Sequence, residues 1–470
     1  MAGKTLITIA AVFAWTGLAG AATGSQESCP DVAVRRELSP VPQALEFPAL
    51  GNSLDQEVAL GEDGSVDAVF SVVRSGSREA MVSYRHYDAK SGSWGEERRL
   101  SGEGITAAVE PCLIRGQDGR LYAVWLEIRN DRDFVVFATS TDRFESARRS
   151  DFPLGKANDG PRLLQDGRGD LWLYCRSYLP QTKTAQVVGF HSSDNGQTWQ
   201  NFTTGGTVEA RDPRMWETPK GRRYLAWIGV PAEAYSIMTA KVDGQASGQL
   251  SSVKTVARAG AAVASMTMVQ QGERVGLVWL ETQLRHVTVK MLESDDGGEK
   301  WSSPRTIVEE AANSLRYHVV KGENGWYLLY VQSIGPSHLR RDSIHLKQLW
   351  SANGTLAPDQ TLASGMGFVE GIAGCALGSR VLVGALTVDE DGSHLFLLRG
   401  KPGDEFCRNQ LRTGDSKEEK GLIHLVTGGG SPVILYRESR LARLQPALRL
   451  LNGVMKLVEV QYSGDNPPGE

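Results

Sequence analysis

Cysteine is scarce in this chain. Five occur in 470 residues, at Cys29, Cys112, Cys175, Cys375 and Cys407. Their spacing is irregular, no Cys-x-x-Cys pair is present, and no Cys/His set has ligand spacing, so neither a zinc site nor any other metal site is expected. The histidines are equally scattered. Excess basic charge is also missing: 51 Lys and Arg stand against 55 Asp and Glu, a net charge of -4. A protein that wraps nucleic acid usually carries a basic footprint, so that partner is not expected. No glycine-rich phosphate loop joins a strand to a helix, and no serine nucleophile elbow is present. Nucleotide chemistry and α/β-hydrolase chemistry are therefore unsupported, and no cofactor is expected. Beyond residue 22 no apolar run is long enough to span a bilayer.

One apolar run does stand at the N-terminus. Lys4 precedes the short core Leu6 to Ala14, and Ala19-Gly20-Ala21 supplies small residues at a cleavage position. The pattern reads as an export signal over 1–21, cut after Ala21, which predicts a secreted or periplasmic protein with no membrane span once the signal is removed. Export permits disulfides, so buried free thiols with one or two bridges are expected, the connectivity is left open, and a Cys29–Cys407 pair is one that would pin the ring closed.

What the chain has in quantity is glycine, 52 residues, mostly in short turns between apolar runs. Those turns recur with a period. Ser192-Ser-Asp194-Asn-Gly196-Gln-Thr-Trp199 reads S-x-D-x-G-x-T-W, and Ser294-Asp-Asp296-Gly-Gly298-Glu-Lys-Trp301 reads S-x-D-x-G-x-x-W. Asp194 and Asp296 lie 102 residues apart, twice 51. A degenerate copy, Ser140-Thr141-Asp142, precedes Asp194 by 52 residues, and a looser one runs from Asp88 to Trp94.

A second feature keeps the same phase. Glu110-Pro111, Gly160-Pro161 and Asp212-Pro213 each open a short strand, followed by an Asp/Gly turn and a second strand of bulky residues. The outline recurs at 262–279, 315–330, 369–385 and 422–436, with an earlier copy at 56–73. Eight units of about 48 to 55 residues result, and self-similarity at such a period signals a propeller or array. The expected fold is all-β: a single propeller over 55–462 with four-stranded antiparallel blades, eight in number, with seven as the alternative. Residues 22–54 form an N-terminal segment, and 463–470 read as a disordered tail.

The two S-x-D-x-G turns inside fifty-residue β-units resemble the Asp box of the sialidase (neuraminidase) superfamily. The resemblance implies that the box joins the third and fourth strands of a blade. It further implies that Asp194, Asp296, Trp199 and Trp301 are structural, the aspartate accepting N–H bonds within its own turn and the tryptophan packing between sheets. It also implies glycan chemistry: arginines clamping a carboxylate, a tyrosine nucleophile and an acidic partner. The Arg-Ile-Pro motif of that family is absent here; Arg35, Arg36 and Ser39-Pro-Val-Pro42 occupy the region where it would stand.

Three acids fall at the starts of innermost strands, in phase with the repeat: Glu110, Asp159 and Asp212, 49 and 53 residues apart. Acids converging on one channel supply an acid, a base or nucleophile, and a tuning partner. Arg211-Asp212-Pro213 also resembles a segment of some five-bladed glycosidases. Arg162, Arg211, Arg214 and Arg316 lie nearby as candidates for an anionic sugar, Tyr317 as a nucleophile, His318 as a base and Trp216 as a stacking platform. Strand-capping and salt bridges between blades compete with each of these roles, and for Trp216 packing between blades is the stronger expectation. Two functions follow: a glycan-active, exo-sialidase-like glycoside hydrolase built on Glu110, Asp159, Asp212 and Tyr317, or a non-catalytic propeller that binds glycans or proteins. The expected partner is a glycan or glycoprotein.

Overall fold

The computed structural model describes residues 32–45 and 56–462, apart from residues 62, 74–79, 92, 156, 180–182, 206–207, 231–233, 243–247, 251, 285, 311–315, 324, 335–340, 352–357, 390–391, 414–417, 429–430 and 445–447. In 32–45 and beyond residue 411 only the backbone is described. The expected export signal and the expected disordered tail lie outside the described residues.

The chain is an all-β propeller. Its long strands follow one another in antiparallel sets, most of them pairing with the next long strand in sequence. The first set is Gln56–Leu60, Val66–Val73 and Ala80–Asp88, with two short pieces at Ser93–Trp94 and Arg98–Arg99. The second is Ala107–Arg115, Leu121–Arg129, Arg132–Ser140 and Arg148–Pro153, joined to the first by one parallel bridge, Ala80 to Ala107. Further sets open at Ala157–Gln165, Glu209–Glu217, Ala262–Gln271, Tyr317–Gly322 and Phe368–Leu377. The last contains Glu418–Gly428, Ser431–Leu444 and Leu448–Tyr462, and its fourth strand is Val32–Leu45. The N-terminal segment therefore belongs to the propeller, which begins before residue 55. This pairing ties the N-terminal and C-terminal ends of the described chain into one sheet.

The opening strands line the axis. Each touches the opening strand of the next set, and Glu418–Gly428 returns to touch Gln56–Leu60. Second strands are the most deeply buried; Leu121–Arg129 is buried from Leu121 through Glu127, and Arg274–Gln283 from Val275 through Glu281. With a neighbouring sheet on either face, both sides of such a strand need apolar side chains, which is why these strands read as near-continuous hydrophobic runs. Trp125 and Trp279 lie there fully buried, and each donates its indole N–H to a buried carboxylate two residues on, Glu127 or Glu281, at 2.8 Å.

The Ser-x-Asp turns close the third and fourth strands. Asp194 Oδ1 accepts from the Gln197 and Thr198 amides, both at 2.8 Å, and Oδ2 accepts from the Thr198 hydroxyl at 2.7 Å. Ser192 Oγ accepts from Gly196 N at 2.8 Å. The same bonds recur around Asp296, where the Glu299 and Lys300 amides donate at 3.1 and 2.9 Å. They recur again around Asp142, where Ser146 N donates at 3.1 Å. Gly196 has φ +82°, and a Cβ there would lie 2.3 Å from Phe137 of the preceding sheet, so both backbone and packing demand glycine. Trp199 sits beside it, edge-on to Phe137 at 5.0 Å, and donates to Gly196 O at 3.1 Å. Turn and sheet-to-sheet contact are one unit.

Cys407 is disulfide-bonded, whereas Cys112, Cys175 and Cys375 are free thiols. Cys29 lies outside the described residues.

Candidate functional site

The in-phase acids stand at a recurring irregularity. The pairing of first with second strands slips at residues 110–111, 160–161, 212–213, 264, 370 and 422. Each slip is a β-bulge, which bends the strand and re-aims the side chain at that point. At two of them a non-glycine residue adopts a left-handed backbone immediately before proline: Glu110 at φ +54° and Asp212 at φ +48°. Proline fixes its own φ and restricts its predecessor, so this conformation persists only where surrounding contacts hold it.

Those contacts cross from sheet to sheet. Asp212 Oδ2 accepts from the Met266 amide at 2.6 Å, and Oδ1 lies 2.6 Å from Arg214 Nη2. Tyr174 OH accepts from the Met215 amide at 3.3 Å. Ser265 Oγ lies 3.0 Å from Tyr317 OH. Arg316 Nε donates to Glu370 O at 2.9 Å, and its guanidinium lies 4.5 Å from the centre of the Phe368 ring. Glu110 rests on Gly160, where a Cβ would lie 2.3 Å from Glu110 Oε2. A series of single contacts thus stitches the second through seventh sheets at this end of the molecule.

Asp212, Arg214, Ser265 and Tyr317 come together across three consecutive sheets. Burial pushes the Tyr317 phenol above its ordinary value; Asp212 adds to the effect, while Ser265 and Arg214 oppose it. Tyr317 therefore keeps its proton at neutral pH and acts as a hydroxyl donor. Burial lowers His318 below the usual histidine value, so that ring is neutral near pH 7. The Arg162 and Arg211 side chains are 47% and 43% exposed, against 26% for Arg214. Arg162 lies 3.8 Å from Glu57 and within the field of Asp212, and Arg211 pairs with Glu209 at 3.0 Å.

Other expected site residues fall elsewhere. Trp216 is 2% exposed, donates to Gly297 O at 3.0 Å and packs on Tyr224 and Trp301. It offers no face to a sugar, which corrects the stacking role; an indole of that size is worth more between two sheets than at their edge. Arg316 is turned toward the seventh sheet through Glu370 and Phe368. The backbone of Asp159 lies opposite Arg176 in its strand, but its side chain lies outside the described residues. Ser265 was not singled out in the sequence. Its only signal is its place one residue past the bulge at 264, equivalent to the other strand starts.

No protein-family model matches the chain, and neither does any curated protein. Solved structures do match. A polysaccharide lyase described as an ulvan lyase shares 11% identity over 80% of this chain and 98% of its own, with a TM-score of 0.47. An α-L-arabinanase of Penicillium chrysogenum, complexed with arabinobiose, shares 17% over 64% and 92%, at 0.37. The NanB sialidase from Streptococcus pneumoniae shares 10% over 89% and 70%, also at 0.37.

Proposed function

We propose that this chain is an exported, eight-bladed propeller of the Asp-box type that recognises acidic glycans at the bulged end of its axis. The observation that carries the reading is the grouping of Arg162 and Arg214 with Asp212 and Tyr317, with Arg211 next along the strand and paired to Glu209. Guanidinium groups with exposed faces bind a sugar carboxylate by charge-assisted bonds, and Tyr317 adds a protonated hydroxyl for a ring oxygen. Asp212 is committed twice, to Arg214 and to Met266, so its first task is to hold Arg214 in place.

Glycoside hydrolysis is the second reading, favoured by the meeting of Tyr317 with Asp212. In that reading the Tyr317 oxygen attacks the anomeric carbon as the glycosidic C–O bond breaks, Asp212 takes the phenol proton, and water protonates the leaving oxygen.

The test is titration of sialyllactose and of a polyuronate oligosaccharide into the purified protein, with sugar release assayed in parallel. Saturable binding that weakens about tenfold or more in Arg162→Ala and Arg211→Ala supports recognition. Turnover that disappears in Tyr317→Phe supports hydrolysis. Absence of both binding and turnover with every acidic glycan overturns the proposal.

A further inference from the structure

A cleft of about 460 Å³ opens between the first two sheets. It lies at the end of the strands where the Ser-x-Asp turns stand, away from the bulges. The first sheet contributes Asp63, Ser65 and Asp67, and the second contributes Arg115, Thr141 and Arg143. Equivalent gaps elsewhere are closed by bonds from sheet to sheet. Gln117 donates to Gln165 Oε1 at 2.8 Å and to Asp166 O at 3.2 Å. Glu217 accepts from the Gly167 amide at 2.6 Å and from Gln270 at 2.7 Å. Between the first two sheets Arg115 meets Asp67, and Arg98 donates to Arg143 O at 2.8 Å and to Glu145 Oε1 at 2.6 Å, yet space remains between these links.

Two features mark this gap as built for a ligand. Asp67 is 1% exposed at its floor and is held by Tyr84 OH, Arg115 and His86 Nδ1, the last at 2.9 Å. Its carboxylate cannot swing, so Arg115 is fixed with a third of its side chain facing out. Arg143 has φ +58°. The matching positions of the other two turns are Asn195 and Gly297, residue types that accept a left-handed backbone. The turn is held by Arg98, which donates to Arg143 O at 2.8 Å, and by buried Phe144 packing on Tyr84 at 5.0 Å, and it leaves the Arg143 side chain exposed on the cleft. Among the described residues no hydrogen bond or ion pair engages its guanidinium. An exposed guanidinium with no partner, set beside a second fixed guanidinium in a cleft, points to an anionic ligand.

The lining specifies that ligand. Arg143 and Arg115 suit one carboxylate, whereas the exposed Asp63 carboxylate, one oxygen of which accepts from Ser65 N at 3.0 Å, and the exposed Thr141 hydroxyl suit ring hydroxyls. No aromatic side chain is among the lining residues, which disfavours a flat base or indole. A cleft of this size takes one or two sugar rings. We propose that it is a second binding site, at the opposite end of the propeller from the bulge cluster, for an acidic sugar unit: a glycosidically linked pyranose bearing one carboxylate.

The probe is methyl β-D-glucuronide, titrated calorimetrically into the full-length protein. A saturable component that persists in the Arg211→Ala background is expected, and it is weakened about tenfold or more when Arg143→Gly or Asp63→Asn is added. Arg143→Gly relieves the left-handed backbone, so its Tm is expected to hold or rise, and its loss of binding is then not a loss of fold. Methyl β-D-glucoside, which lacks the carboxylate, is expected to bind about tenfold more weakly or worse. Equal affinity in Arg143→Gly, or no saturation of the parent protein by about 50 mM, overturns the site. Binding lost in Arg211→Ala and kept in Arg143→Gly also overturns it, and assigns the sugar to the bulged end.

Discussion

Asp212 and Met266 are joined by a 2.6 Å hydrogen bond from the Met266 amide to Asp212 Oδ2, across the seam between two sheets. The other oxygen of the same carboxylate holds Arg214. A residue placed by the repeat at the start of an innermost strand is therefore a clasp between sheets as well as a neighbour of the candidate ligand groups.

Asp212→Ala is expected to lower unfolding free energy by about 2–4 kcal/mol, because it leaves a buried amide and a guanidinium without their acceptor. Asp212→Asn keeps an acceptor for Met266 and is expected to cost roughly half as much. Urea unfolding monitored by tryptophan fluorescence measures both. An Asp212→Ala midpoint equal to that of the parent protein would show that the seam does not depend on this side chain.

The Ser-x-Asp turns predict a response to acid. Burial raises the Asp194 carboxyl, but bonds from Thr198, Ser192 and Gln197 outweigh it and hold the group at about 2, against an ordinary 3.8. Bonds from Ser140 and Ser146 bring Asp142 to about 2 as well. Both folded values lie below the unfolded ones. The stability these groups contribute is thus complete above about pH 4 and is lost as pH falls toward 2. Urea midpoints measured over that range are expected to fall less steeply in Asp194→Asn than in the parent protein.

Trp216→Ala is expected to cost about 3–5 kcal/mol, the usual penalty for emptying a buried aromatic site. Trp216→Phe should recover much of that stability. Both variants, assayed below their unfolding temperature, are expected to bind glycans as the parent does. A selective loss of binding in a stable Trp216→Phe would return this residue to the site.

Peptide mapping under non-reducing conditions is expected to find Cys29 linked to Cys407, with Cys112, Cys175 and Cys375 free. Cys407→Ser should then lower stability by about 2–5 kcal/mol, since the link constrains nearly the whole chain. Recovery of Cys29 as a free thiol in the unreduced protein would exclude the pairing.

Much of the scaffold was legible beforehand, for local reasons. Ser192, Asp194, Gly196 and Thr198 make their bonds within seven residues, so their spacing alone announces the turn. The second strands announce themselves too, because burial on both faces demands runs such as Leu121 to Leu126. Glu127 and Glu281 illustrate the limit. Their carboxylates are buried two residues beyond a tryptophan, and nothing in a one-dimensional pattern says that Arg149, 22 residues further on, neutralises the first.

The sequence by itself determined the all-β class, the period near fifty residues and the turns that carry it, since these follow from contacts between close neighbours in the chain. Tertiary structure decided everything that depends on bringing distant units together. It set Val32–Leu45 against Leu448–Tyr462, turned Trp216 inward, made Asp212 a clasp, and left Arg143 facing an open cleft between the first two sheets. The physical reason is the same in each case. A repeat places equivalent residues at equivalent heights, but which of them meets a partner, and which meets empty space, depends on the adjoining sheet.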